Sequence, residues 1–367
     1  MIDKRSEIEK QEWVDSQLED EESKFIFEQR KQFNLDKDYS HIQKIVERYV
    51  PELSKKGWYP GKEKELIHII QEKQKRVIIF GAGYYGEKLL DLCIDGGVTV
   101  EFFCDSDERK QNTIIQGIRI ISLKELEELS KNTDYMIIIS TKYSHDEIQN
   151  LLVDIGISNN NIYKFVDYWA ISLGTQYFDE DILPFKQNEI FVDGGCFNFW
   201  TSRLFLKKMA ELGIDCKKIY AFEPDPKNIK KCKDHIESLG IKNVELIEAG
   251  LWSHNTFLQF LGEGKGSSHI VLEEKRETEK IKVAALDSCV AEPVTFIKLD
   301  IEGAELEALK GAEHIIKRDK PKLAICIYHK PEDIWEIPYY IKMLVPEYKM
   351  YIRHYSNSES ETVLYAV

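Results

Sequence analysis

The chain has 367 residues, 43% of them hydrophobic and 31% charged, values of an ordinary globular protein that is long for a single core. Its 64 acidic and 50 basic side chains leave a net charge of −14, which argues against a general nucleic-acid binder, because phosphate affinity comes mostly from Lys and Arg. The opening MIDKRSEIEKQEWVDSQ lacks the apolar core of a signal peptide, and no apolar run reaches the length of a membrane span. Residues 1–72 then read as a charged helical arm: Phe25, Phe27 and Phe33 recur among charges, and Ile42, Ile45, Val46 and Val50 fall near helical spacing. Packing is the expected role of this arm, with homodimer formation as the alternative. Pro51, Gly57, Pro60 and Gly61 break the pattern.

Strand and helix patterns alternate from residue 73. KRVIIFGAGYYGEKLLDL, VTVEFFCDSD, IRIISLKELEEL and TDYMIIIS predict a small parallel α/β unit over residues 73–170. Its GAGYYG fits the dinucleotide-binding fingerprint. Gly81 permits the turn, Gly83 lets a phosphate approach beside Tyr84, and Gly86 lets the helix pack on the strand. Asp105 ends the next strand, 19 residues after Gly86, where an acid binds ribose hydroxyls. One such half is short for NAD, and nothing in it is set for hydride transfer. The motifs GAGYYG, FFCDSD, GIRIISLKEL and YMIII resemble, in that order, the small N-terminal domain of bacterial sugar acyltransferases. The resemblance implies a nucleotide or nucleotide-sugar ligand; a purely structural role and an NAD site remain the alternatives.

After the connector YWAISLGTQYFDEDILPFKQN the alternation restarts, giving a second unit over residues 171–367. NEIFVDGGCFNFW places Asp193 at a strand end and Gly194 and Gly195 in the turn, with a helix after it. A carboxylate in such a turn suits an ammonium group, as on S-adenosylmethionine. The next strand, KIYAFEPD, ends in Glu223 and Pro224, 28 residues beyond Gly195, where an acid accepts from both ribose hydroxyls. NVELIEAGLWS ends near Gly250 and Leu251, the expected adenine position. VTFIKLD ends in Asp300, the helix GAELEALKGAEHII turns Leu306, Leu309, Ile315 and Ile316 to the core, and KLAICIYH brings in His329. The tail MYIRHYSNSESETVLYAV predicts a terminal hairpin.

FVDGGCF, YAFEPDP, EAGLWS, FIKLDIEGAELEALKGA and RHYS with TVLYA resemble the FkbM family of S-adenosylmethionine-dependent methyltransferases over about residues 177–367. The fold expected is therefore α/β: two Rossmann-like units behind a helical arm, the second a seven-stranded class I methyltransferase sheet. The resemblance implies a cofactor site of Asp193, Gly194, Gly195, Cys196, Asn198, Phe199, Glu223, Pro224, Gly250, Leu251 and Asp300. The chain departs from the family at Asn198 and Phe199, where Asp or Ile and then Gly are commoner. Phe199 bars the closest approach of helix and cofactor, so its ring is expected on the ligand or on Trp200.

The activity implied is methyl transfer to a hydroxyl of a sugar, nucleotide-sugar or glycan precursor, in the cytoplasm. A hydroxyl acceptor needs its proton removed, and His329 or Asp300 is the expected base. Glu302 binds substrate or caps a helix, and Lys298 shares the sheet face of Asp300. Asp300, Glu302 and His329 are also ligands a divalent metal would accept, though in no recognised metal motif. GEGKGSSH, residues 262–269, reads as a linker or a loop closing over substrate, with His269 as a remote base. The seven cysteines are scattered without a CxxC pair and read as free thiols. Two rivals stand beside this reading: a non-catalytic nucleotide-sugar-binding or assembly module with a degenerate methyltransferase domain, and an NAD-dependent sugar oxidoreductase using GAGYYG.

Overall fold

The computed structural model describes residues 5–54, 61–141, 144–168, 172–173, 176–261, 269–271 and 279–367. The chain divides into two compact units, Pro51–Ile171 and a second made of Met1–Val50 with Ser172–Val367. Three helices open the chain: α1 (Glu7–Gln17), α2 (Glu21–Asp36) and α3 (Ser40–Tyr49). Ser6 caps α1 in a reciprocal box with Glu9, and Asp20 caps α2 by accepting from the Ser23 amide, so both starts are fixed locally. Among the described residues no helix is long and apolar enough to cross a membrane.

The Pro51–Ile171 unit contains α4 (Pro51–Ser54), α5 (Lys62–Lys73), β1 (Arg76–Phe80), α6 (Tyr84–Asp95) and β2 (Val100–Cys104). β3 (Ile114–Ile115), β4 (Ile118–Ile121), α7 (Leu123–Ser130), β5 (Tyr135–Ile139), α8 (His145–Asp154) and β6 (Ile162–Lys164) complete it. Its strands run in the order β3-β4-β2-β1-β5-β6, all parallel except the β3–β4 pair. β1 and β5 read RVIIF and YMIII because helices cover both faces of a central parallel strand.

The second unit continues with β7 (Glu189–Gly194), α9 (Trp200–Leu212), β8 (Cys216–Phe222), α10 (Pro226–Ser238) and β9 (Val244–Ile247). A small sheet follows, from β10 (Gly250–Leu251), β11 (Thr256–Leu261), β12 (His269–Val271) and β13 (Glu279–Ala284), in the order β10-β13-β11-β12. Then come α11 (Leu286–Cys289), β14 (Phe296–Leu299), α12 (Glu305–Lys310), α13 (Glu313–Asp319), β15 (Lys322–Cys326), α14 (Asp333–Leu344), β16 (Met350–His354) and β17 (Thr362–Ala366).

The main sheet runs β16-β17-β15-β14-β7-β8-β9. β17 is antiparallel to both of its neighbours, and the other pairings are parallel. The order in which strands are added reverses at β7: β8 and β9 build outward on one side of it, β14 and β15 on the other, and the carboxyl ends flanking such a switch point are where open α/β sheets place ligands. Aromatic rings fill the core beneath this place: Phe191 stacks on Phe296 at 4.9 Å and lies 4.3 Å from Phe205. Each such pair adds roughly 0.5–1.5 kcal/mol beyond its buried area.

The opening helices belong to this unit. Glu19 donates its amide to the Met350 carbonyl at 3.1 Å, and Arg353 pairs with Asp20 at 2.7 Å. Ile26, Phe27, Phe33, Ile42, Ile45, Val46 and Val50 are buried, whereas Phe25 is only partly so. The third strand expected after Glu223 breaks at Glu248–Ala249: β9 closes the main sheet, and β10 pairs with β13 instead. Gly250 and Leu251 therefore sit in the small sheet.

Candidate active site

The turn after β7 is built around a buried clamp. Asp193 of β7 and Lys298 of β14 are register partners in a parallel pair, so their side chains leave one face of the sheet together. Lys298 Nζ lies 3.1 Å from Asp193 Oδ1 and donates to the carbonyls of Gly194 at 3.0 Å and Gly195 at 2.8 Å. An ammonium has three protons, and all three are used. Asp193 Oδ2 accepts from Ser202 Oγ at 2.7 Å, which fixes the start of α9 to the same carboxylate. Burial by itself would lower the Lys298 pKa, but Asp193 and Asp300 outweigh it and hold the ammonium charged. The clamp thus occupies the carboxylate that the sequence offers to a ligand amine, and the ammonium that it places beside Asp300.

Gly195 lies at φ +75°, and a Cβ there would stand 2.0 Å from the Asp300 carbonyl oxygen. Only glycine lets the ends of β7 and β14 approach so closely. Phe199 also has a left-handed backbone, at φ +71°, where glycine is easiest. Its ring is fully buried in the core with Phe205, Cys196 and Cys232. It is therefore turned into the core, while Trp200 beside it is exposed. Burial of the ring offsets the cost of the conformation. Cys196 is buried too, and Asn198 Oδ1 accepts from the Trp200 amide at 3.2 Å.

Glu223 follows β8 and reaches back to the turn. Its Oε2 accepts from the Phe197 amide at 2.9 Å, and its Oε1 from the Asp225 amide at 3.0 Å. Burial pushes its pKa up to about 7, with Asp225 adding to the rise, while the amides of Asp225 and Phe197 and the Asn228 side chain resist it. The two amides and the Asn228 side chain still leave part of the carboxylate's lone-pair capacity open. Pro224 flanks Gly250, where a Cβ would meet it at 3.6 Å, and Leu251 is buried beside Gly194. The residues read from the sequence thus gather into a structural clamp at Asp193 and Lys298, and an acid-bearing turn at Glu223.

A second group collects past the ends of β14 and β15. His329 Nε2 stands 3.4 Å from Asp300 Oδ1 and 3.7 Å from Glu302 Oε2, and its Nδ1 stands 2.9 Å from Glu305 Oε1. Burial would lower the His329 pKa, but Glu305, Asp300 and Glu302 outweigh it and raise it to about 10. Asp300 also accepts from Tyr177 at 2.8 Å and from Tyr328 at 3.4 Å. Burial would raise its pKa, yet Lys298 and His329 hold it below the ordinary value. Burial raises Glu302 and Glu361 to about 7, and neighbouring Asp300 adds to both. Glu302, at φ +55°, stands on the outer side, 34% exposed against 26% for Asp300, 8% for His329 and none for Glu305. Glu305, Tyr177, Tyr328 and Glu361 were not read from the sequence. Glu305 alone carried a signal, as an acid in phase with the buried Leu309 of its own helix. GEGKGSS lies outside the described residues, which retain the backbone of His269.

In the Pro51–Ile171 unit the glycine turn has the expected geometry. Gly81 adopts φ +109°, a Cβ on Gly86 would meet the Gly81 carbonyl oxygen at 2.1 Å, and the space beside Gly83 is open. Tyr84 begins α6. Asp105, however, is engaged: its carboxylate accepts from the Ala82 amide at 2.8 Å, the Asp107 amide at 2.9 Å and Lys110 at 3.0 Å.

Comparison with known proteins bears on both units. Residues 73–163 match the family model described as C2185-like, N-terminal. No curated protein matches the chain. Among solved structures, a methyltransferase FkbM from Methylobacillus flagellatus KT is 18% identical, with 92% of this chain and 100% of that one covered and a TM-score of 0.48. An rRNA methylase from Streptococcus thermophilus is 22% identical over 49% of this chain and 86% of that one, at a TM-score of 0.33. A UDP-D-quinovosamine 4-dehydrogenase from Vibrio fischeri is 26% identical over 24% and 76%, at a TM-score of 0.22. Residues 194–358, which hold the glycine turn, Glu223 and the Asp300–His329 cluster, match the family model of the methyltransferase FkbM domain.

Proposed function

We propose that the chain is an S-adenosylmethionine-dependent O-methyltransferase acting on a hydroxyl of a sugar or sugar-bearing molecule. One observation carries the reading: a buried acid, Glu223, bridges the glycine turn beside the sheet's switch point. A carboxylate so placed suits the two hydroxyls of a ribose, so the residues fit the adenosine half of the cofactor. Asp193 does not suit the amino group, because Lys298 and Ser202 already hold it. When bound, S-adenosylmethionine supplies a methyl group on a sulfonium, open to in-line displacement, where positioning does most of the work.

The chain's own part is to orient the acceptor and take its proton. Glu302 is the acid at the rim with the greatest exposure, and we assign it the proton. Asp300, held by two tyrosines, orients the acceptor. The open face at Gly83 is the place for a nucleotide in the other unit, with Asp105 shaping the loop rather than holding the ligand.

Calorimetric titration tests the cofactor assignment. Wild type is expected to bind S-adenosylmethionine and Glu223→Ala to lose that binding by at least about tenfold, as the loss of a charged acceptor implies. Undiminished binding by the variant would sink the assignment.

A further inference from the structure

The His329 imidazole is buried, yet neither of its ring nitrogens completes a hydrogen bond of good geometry. Glu305 is wholly buried, and its Oε2 is likewise without a partner. Buried polar groups are seldom left so; the ring Nδ1 lies 2.9 Å from the other oxygen of Glu305, Oε1, which also accepts from the Ile301 amide at 2.8 Å. Asp300 closes the group: one ligand atom from each of Asp300, Glu305 and His329 lies within 4.8 Å of the other two. Oxygens on a cation at about 2.1 Å stand about 3 Å apart when adjacent and about 4.2 Å apart when opposite, so small side-chain shifts close this set.

We propose that Asp300, Glu305 and His329 bind a divalent first-row cation of the Mn2+ class. Two carboxylates are hard ligands, and the single imidazole favours Mn2+ over the purely oxygen-seeking Ca2+ and Mg2+. Lys298 does not compete for the place, since its three protons are spent on Asp193 and the glycine turn. Between Asp300 and Glu305, both of which reach His329, the backbone turns through two left-handed residues, Glu302 at φ +55° and Gly303 at φ +90°. Asp300 keeps a quarter of its side chain exposed, so the cation has an open side for an acceptor oxygen.

The role of the cation rests on the methyl-transfer reading; its binding does not. A hydroxyl on that open side is polarised and passes its proton to Glu302. The oxygen lone pair then forms the new C–O bond while the S–CH3 bond breaks, its electron pair remaining on sulfur.

The test uses the full chain after chelation, titrated with MnCl2 and followed by loss of the free Mn2+ paramagnetic resonance signal. One equivalent should bind, and Glu305→Gln and His329→Gln should each weaken binding by at least about tenfold. If Glu305→Gln fails to fold by circular dichroism, Asp300→Asn takes its place. A wild-type chain that leaves millimolar Mn2+ free overturns the site, as does binding that none of these variants weakens. S-adenosylmethionine is titrated into the same samples: its binding without Mn2+ binding overturns the cation site alone. Mn2+ binding without cofactor binding supports the site and overturns the methyl-transfer reading.

Discussion

Lys298→Met separates a clamp from a catalytic group. The substitution keeps much of the side-chain length but removes three donors at once, to Asp193 Oδ1 and to two carbonyls of the glycine turn. Asp193 is completely buried, and Ser202 alone would then face its charge. Breaking one side of a buried ion pair costs about 3–5 kcal/mol, because the remaining charge keeps its desolvation penalty. Urea unfolding followed by circular dichroism should show that loss in the transition of the unit holding the seven-stranded sheet. The transition of the Pro51–Ile171 unit serves as the unmoved control. Adding Asp193→Asn removes the stranded charge, so the double variant should recover part of the loss, with a coupling of at least about 1 kcal/mol. A Lys298→Met protein within about 1 kcal/mol of wild type refutes the clamp, and an accompanying loss of methyl transfer would make Lys298 a group that acts on the reactants.

Three further outcomes follow from the two glycine turns. Gly195→Ala combines a left-handed backbone, at about 1–2 kcal/mol, with a Cβ set 2.0 Å from a carbonyl, and should cost about 3 kcal/mol or more in urea unfolding. Gly83→Ala, at an ordinary φ with nothing within 4 Å, should stay within about 0.5 kcal/mol, and a larger loss would refute the open face there. Glu223 has its pKa raised to about 7, so the folded state keeps a proton that the unfolded chain releases near 4.5. Stability contributed by this proton is present below pH 4.5 and fades as pH rises to about 7, by up to about 3 kcal/mol in total. Melting curves of wild type and Glu223→Gln should therefore diverge across that window, and parallel pH dependence would refute the raised pKa.

The central strands of the two larger sheets were legible because central parallel strands are unbroken apolar runs, as in RVIIF, YMIII and EIFVDG. Order along the chain then sets which loops share an edge, and that alone puts Glu223 near Gly195. Periodicity has no range, however. It found the helices of the opening segment but not their seat on β16, over 300 residues away, where Asp20 meets Arg353. It also gave GAELEALKGAEHII a core face of Leu306, Leu309, Ile315 and Ile316. Leu309, Ile315 and Ile316 are buried, Leu306 is half-buried, and Glu305 is wholly inside.

An acid in phase with such a stripe conflicts with hydrophobic patterning, and such conflicts tend to mark functional places. Phe199 is the opposite case. A bulky residue where glycine is expected suggests a damaged turn, yet the turn is made: Gly195 supplies the close approach, and Phe199 keeps the left-handed backbone by burying its ring. What the glycine turn requires is a backbone conformation, and a side chain with a core to enter can hold it where glycine would adopt it freely. The departure at Phe199 therefore bears on packing beneath the turn, while the chemistry we propose above it rests on Glu223 and on the Asp300, Glu305 and His329 group.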